Sequence, residues 1–391
     1  MQTQLQIPRA AIPVITLHLS NRRATLLKLE RRPAPSPVMR IASPLFAAVA
    51  MLLTGIVIFT VLGKNPEQAF YVFFIKPLQT MYGVGELLLK ATPLLLCALG
   101  LALGFRSNVW NIGAEGQLTM GAIAGGGVAL WLGDSSAAWG LPLMLVAGAL
   151  GGMAWAAVPA YLRNRFNTSE ILVTLMLVYI AQLLLSYLVH GPWRDPQGFN
   201  FPQSKTFSDA HLIPILIEGT RTNWGFILGL LLALASWLFS SKTYAGYRMQ
   251  VAGLAPAAAA YAGFSNKRNV WIALLISGAS AGVAGLCEVA GPIGQLQAQI
   301  SPGYGFAAII VAWIGRLHPV GIVLGSLLMS LLYLGGESAQ MQMALPSAIT
   351  GLFQGLLLFY LLAADLFISF RLKNVSVARQ SAAVAIIKEA A

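Results

Sequence analysis

The polar residues most able to do chemistry sit at breaks in apolar sequence. One break is Arg106-Ser-Asn-Val-Trp-Asn-Ile-Gly-Ala-Glu-Gly-Gln117, where Glu115 lies between glycines at the edge of an apolar run. An ionisable group there is costly unless it is paired or faces a water-filled cavity. Broken backbone at membrane depth is tolerated only where protein or a cavity lines it. Two readings are open. Asn111, Glu115 and Gln117 line a path for a polar solute, or Glu115 lies at the mouth of the bundle and starts a helix, where a carboxylate suits the positive dipole end. A second polar, Gly-rich break, Ile300-Ser-Pro-Gly-Tyr-Gly-Phe306, comes late in the chain.

A third stretch is the loop 241–268, with the core Tyr247-Arg-Met-Gln-Val-Ala-Gly-Leu-Ala-Pro256 followed by four alanines, Tyr261 and Gly263. Pro256 suits a first helical position, the alanines favour helix, and Gly263 suits the position past the end. A helix of about six residues cannot hold itself in water. It needs a surface, either its own bundle or another protein.

Other chemistries find no support. There is no G-x-x-x-x-G-K-[ST] phosphate loop, so the chain has no such site to hydrolyse ATP. There is no H-E-x-x-H motif and no Cys/His cluster at metal spacing, and His18, His190, His211 and His318 are scattered. His190 and His211 flank one loop and read as solvated. Glu86 and Lys90 can pair at i,i+4. Cys97 and Cys287 lie in apolar runs and read as packing residues. No catalytic residue, metal ligand or directly bound cofactor is expected.

The elements that carry these breaks follow from composition. Of the 391 residues, 57% are hydrophobic and 10% charged, against roughly 25% charged in soluble proteins. So few charges cannot cover a water-facing surface. A span needs about 20 apolar residues, and ten runs qualify: 41–62, 86–105, 113–133, 139–162, 170–190, 223–240, 269–290, 303–316, 319–337 and 347–370. The eighth is short, and Gly303 and Gly305 make it a half-helix. The aromatic stretch 65–85 reads as an interfacial helix. The fold class is an all-α polytopic membrane protein of about ten transmembrane helices.

Lysine and arginine set the orientation. With ten alternating spans and a cytoplasmic N-terminus, 19 basic residues fall inside and 6 outside. Both termini are therefore expected in the cytoplasm. The chain divides into a basic, disordered tail over 1–40, a transmembrane domain over 41–372 and a C-terminal tail over 373–391. The transmembrane domain includes the cytosolic loop 241–268 and the outside loop 191–222. Ten spans divide into five plus five, which permits an inverted repeat; the two Gly-rich breaks hold corresponding places in the halves. Glycines four apart recur, including Gly121/Gly125, Gly148/Gly152 and Gly278/Gly282. They suit close helix packing within one chain, with subunit association as the alternative.

The run Asn108-Val-Trp-Asn-Ile-Gly-Ala-Glu-Gly-Gln-Leu-Thr-Met-Gly121 resembles a segment of bacterial ABC-importer permeases of the nucleoside, ribose and branched-chain amino-acid group, and within it the nucleoside (purine) permeases. Thr168–Leu177, Gly191-Pro-Trp193 and Gly246-Tyr-Arg-Met249 with Tyr261-Ala-Gly263 support it, and the likeness covers about 41–372. The resemblance implies an inner-membrane subunit paired with a second permease, powered by cytosolic ATPase subunits and fed by an extracytoplasmic binding protein. ATP would be used by the partner.

The short helix of 241–268 then looks like the element that couples to the ATPase, through Tyr247, Arg248, Pro256, Tyr261 and Gly263. Asn111, Glu115, Gln117, Gln295 and Tyr304 are the expected path. Ala255 and Gln250 depart from the family, which generally has Asn and a basic residue there. The function expected is import of nucleosides or related purine compounds. The alternatives are a simple-sugar importer permease or a secondary transporter driven by an ion gradient.

Overall fold

The computed structural model describes residues 25–32, 36–137 and 139–376. The chain divides into two compact units, 1–53 with 357–391, and 54–356.

The first unit holds strand β1 (Thr25–Arg31), the start of α1 (Pro37–Val61), the end of α13 (Ala348–Ser369) and β2 (Phe370–Ser376). The strands pair antiparallel, from Thr25 opposite Ser376 to Arg31 opposite Phe370. This differs from the tail expected over 1–40. Residues 25–31 are a strand, because the alternation in Thr-Leu-Leu-Lys-Leu-Glu-Arg finds a partner beyond the last span. The rest of 1–24 lies outside the described residues. Glu30 sits against Lys373 at 3.3 Å and Arg371 at 3.1 Å. Hydrogen bonds from Lys373 first, then Arg371, hold its carboxyl below the usual range. Ser43 donates to Asp365 at 2.7 Å.

In the second unit, α2 (Pro66–Phe70) runs into a π-helical turn over Tyr71–Ile75 and a 3-10 turn over Lys76–Leu78. The single interfacial helix expected over 65–85 is thus three short pieces over 66–78, followed by the start of α3 at Met81. Phe73 is buried with its ring 5.3 Å from that of Phe353. Then follow α3 (Met81–Arg106), α4 (Ala114–Leu132), α5 (Gly140–Phe166), α6 (Glu170–His190), α7 (Gly225–Lys242), α8 (Tyr244–Leu254), α9 (Pro256–Tyr261), α10 (Asn266–Glu288), α11 (Tyr304–Ile314) and α12 (Pro319–Met343).

Among the described residues, eight helices are long and apolar enough to cross a membrane. The other two expected spans are α4 and α11. At 19 residues α4 is long enough, but Glu115, Gln117 and its glycines lower its hydropathy. With 11 residues α11 is about 16 Å long, half of a ~30 Å hydrocarbon core, as expected of a half-helix.

The core lies along α3, which is apolar all round and buried over most of its length, and α10. The glycine pairs bring α4, α5 and α10 together. A Cβ on Gly121 would fall 2.2 Å from the Gly282 Cα, and one on Gly152 would fall 2.2 Å from the Gly278 carbonyl oxygen. Backbones in such contact gain dispersion along their length. These stripes are therefore used within the chain.

Charged residues at helix ends pair over distance. Glu86 is buried and accepts two hydrogen bonds from Arg221, Nε to Oε1 at 2.7 Å and Nη2 to Oε2 at 2.6 Å. Lys90 instead reaches Glu337 at 2.8 Å. The expected Glu86–Lys90 pair gives way, since a two-pronged guanidinium–carboxylate contact is stronger than an i,i+4 pair. His211 also differs from expectation: it is fully buried, and neither ring nitrogen has a partner among the described residues.

Candidate functional site

Both Gly-rich breaks end at a helix start. Before α4, the Asn111 side chain organises the turn. Its Oδ1 accepts from the Gly113 N–H at 2.9 Å, and its Nδ2 donates to Gln117 Oε1 and Ser277 Oγ, both at 2.8 Å. Gln117 returns a bond to Asn111 Oδ1 at 3.2 Å. All three side chains are buried, and buried amides that satisfy one another fix a single geometry. Asn111 and Gln117 thus tie the break to α10.

Before α11, Gly294 (φ +74°) and Gly303 (φ +98°) take left-handed conformations that L side chains rarely adopt. The Ser301 hydroxyl accepts from the N–H groups of Gly303 at 3.1 Å and Tyr304 at 2.9 Å, satisfying donors at the helix start.

The two breaks meet at Glu115. It lies in the first turn of α4, is 2% exposed, and its Oε2 accepts the Gly305 N–H at 2.7 Å. One carboxylate therefore serves the positive end of two helices. A Cβ on Gly305 would fall 2.3 Å from the Glu115 nitrogen, so only glycine allows this approach. The rings of Phe105, Trp110 and Trp313 stand 5.1–6.0 Å apart, joining the end of α3, the first break and α11.

Glu115 opens onto a polar cavity of about 250 Å³, lined also by Thr119, Gln182, Gln299 and Ser301. Two amides, two hydroxyls and a carboxylate offer donors and acceptors to a polar solute. Of the five residues expected on the path, Glu115 lines this cavity. Asn111 and Gln117 lie in the network behind it. Tyr304 is buried edge-on to Tyr333, with centroids 5.4 Å apart. Gln295 donates to Gln203 at 3.2 Å, where the loop 191–222 pairs with Gln297 just ahead of the second break.

Sequence reasoning missed Gln182 and Gln299. A lone glutamine inside the apolar run of α6 was the available signal for the first. Gln299 stands two residues before the Gly-rich break's Ser301.

In the loop 241–268 the structure forms two helices, not one. Gly246 of α8 packs tightly on the backbone of Phe239, and Gly253 on that of Arg106. Arg248 donates to Asn269 at 3.1 Å. The six-residue α9 starts at Pro256 and ends as expected at Gly263 (φ +77°). Gly263 N–H bonds to the Ala260 carbonyl at 3.0 Å and Phe264 N–H to the Ala259 carbonyl at 2.9 Å, which closes the helix end. Only Ala259 of α9 is buried; Tyr247 is exposed, Leu254 is 78% exposed and Tyr261 is 96% exposed. So α8 packs back on the bundle while α9 presents an apolar ledge outward.

A multi-span helical chain with broken helices around a polar cavity defines a membrane transport subunit. The chain belongs to the family described as branched-chain amino acid transport system / permease component, whose model matches residues 83–362. It is similar to a glucose ABC transporter permease protein of Haloferax volcanii, 34% identical over 355 residues, covering 88% of this chain and 93% of that protein. A guanosine ABC transporter permease protein of Bacillus subtilis is 32% identical, covering 78% of this chain and 88% of its own length. A nucleoside ABC transporter permease protein of Lactococcus lactis is 30% identical, covering 76% and 84%.

Proposed function

We propose that this chain is the membrane-spanning permease of an ATP-driven importer for nucleosides or related purine compounds. The observation that carries the proposal is the cavity at Glu115 with the two amides Gln182 and Gln299. A purine presents both donors and acceptors on its edges, and paired amides with a carboxylate complement that pattern. Glu115 is the central path residue, with Asn111 and Gln117 holding its helix in place and Gln295 and Tyr304 acting on the second-half side.

The transport complex pairs this chain with a second permease subunit. Cytosolic ATPase subunits bind and hydrolyse the ATP, and an extracytoplasmic binding protein delivers the solute. The chain lies in the plasma membrane with both termini in the cytoplasm. Its exposed α9, with Pro256 and Tyr261, docks on the ATPase together with Tyr247 and Leu254 on the exposed side of α8, and Arg248 and Gly263 fix the shape of that surface. Closure of the ATPase pair then rocks the bundle around the cavity, giving alternating access.

A sugar importer is the second reading, favoured by the likeness to the glucose permease over 88% of the chain. Competition decides between them. In cells carrying the whole system, uptake of labelled guanosine or adenosine should be blocked by unlabelled nucleosides and untouched by excess glucose or ribose. Block by glucose alone would replace the nucleoside reading with the sugar one. Uptake that survives ATP depletion but collapses with an ionophore would overturn both, in favour of a gradient-driven carrier.

A further inference from the structure

Away from the polar cavity, a groove of about 480 Å³ lies between α5 and α7 with α3 and α10 at its floor. That volume is within the range of about 300–1,000 Å³ that holds a small ligand. Its lining is almost wholly apolar, from Leu96 and Leu103 on α3 to Met153 on α5 and Leu232 on α7. The Ser280 hydroxyl in the floor is turned away onto the Leu96 carbonyl. The helices beside it expose Val146, Leu150, Leu234 and Leu238, side chains suited to hydrocarbon.

At one end, Leu103 and Phe239 continue into a small recess with Arg106, Ser240 and Gln250. Arg106 ends α3, is half-buried, and its guanidinium makes no hydrogen bond or ion pair among the described residues. A guanidinium stripped of part of its water with no anion nearby is a costly arrangement.

We propose that this groove binds one anionic phospholipid, with an acyl chain along the groove and the headgroup phosphate on Arg106. The occupant must carry a long apolar body and an anion at one end, and this lipid has both. The length agrees. From Leu96 to Arg106 the helix rises about 15 Å, the depth of one leaflet of a ~30 Å hydrocarbon core. Guanidinium binds phosphate through two parallel N–H bonds. Apolar packing supplies the remaining affinity along the chain. A transmembrane helix from a second copy would fill the groove but bring no anion to Arg106.

The test uses the full-length chain in nanodiscs. A phosphatidylglycerol with a photoreactive acyl chain should label the segments of α5 and α7 that carry Met153 and Leu232. Unlabelled phosphatidylglycerol should compete about tenfold better than phosphatidylcholine, since the charged contact is made only by the anionic lipid. Arg106→Gln should remove that preference and keep some labelling. Ala149→Trp should block the groove and abolish labelling, and Ala279→Leu is the milder replacement if the tryptophan variant does not fold. Excess inorganic phosphate should leave labelling intact. Equal competition by the two lipids, a preference unchanged in Arg106→Gln, or displacement by phosphate alone would overturn the proposal. So would a disulfide between two copies of Ala149→Cys, which would put a second copy in the groove.

Discussion

Glu115 joins two helices and a cavity, so its substitutions should separate structure from transport. Glu115→Gln keeps an oxygen to accept the Gly305 N–H, while Glu115→Ala leaves that buried donor unpaired at about 1–3 kcal/mol. The alanine variant should therefore melt earlier in detergent than the glutamine variant. Both should lower uptake at limiting nucleoside, about tenfold or more for alanine, if the carboxylate meets the solute. Normal uptake in Glu115→Ala would remove it from the path.

Glu115 was legible because glycines flank an acid in apolar sequence, a pattern with few structural uses. Its partner was not, since nothing in the spacing ties residue 115 to 305. Asn111 and Gln117 were legible as polar but not as a network, because Ser277 comes from a distant helix. His211 was misread as solvated, since a polar Pro-rich loop gives no sign that one of its rings packs against Gly140 at the start of α5.

At the scale of elements, α6 and α11 begin within a residue of expectation, whereas α3 starts five residues before the expected 86 and α12 ends six beyond the expected 337. The signals at Pro256 and Gly263 located α9 because the chemistry of starts and stops is local. The region 65–85 was read less well: aromatic residues fit an interfacial helix, and only tertiary packing of Phe73 against Phe353 decides otherwise. The exposed ledge formed by α9 and the end of α8 carries its own prediction. Tyr261→Glu with Leu254→Glu should lower ATPase co-purification about tenfold, because charges at the core of an interface must be desolvated. These side chains are exposed, so the melting temperature of the isolated chain should not move. Unchanged co-purification would place the ATPase elsewhere.

For the whole molecule, the proposed topology places both ends on the cytoplasmic side, an expectation that rests on the lysine and arginine asymmetry. Cys97 and Cys287 are buried, so introduced cysteines can be read against a low background. Gln197→Cys, in the loop 191–222, should react with an impermeant maleimide in intact cells. Tyr261→Cys should react only after the cells are opened. The reverse pattern would invert the topology and detach α9 from any cytosolic ATPase. The overall architecture was readable from composition because a bilayer restricts the choices so severely. The arrangement around the cavity was not, because helix contacts between small residues leave no mark in the sequence beyond the glycines themselves.

The 2.7 Å bond between Glu115 and the Gly305 amide has a further consequence when read as a ligand-exchange equilibrium. Any motion that draws α4 away from α11 must give up this contact and hand the oxygen to whatever fills the polar cavity beside it. A solute that offers its own N–H or O–H to the same oxygen would substitute for the amide as it leaves. On the proposed function, the Gly305 amide and the solute would compete for one carboxylate oxygen, and α4 and α11 would part less easily when the cavity holds no solute.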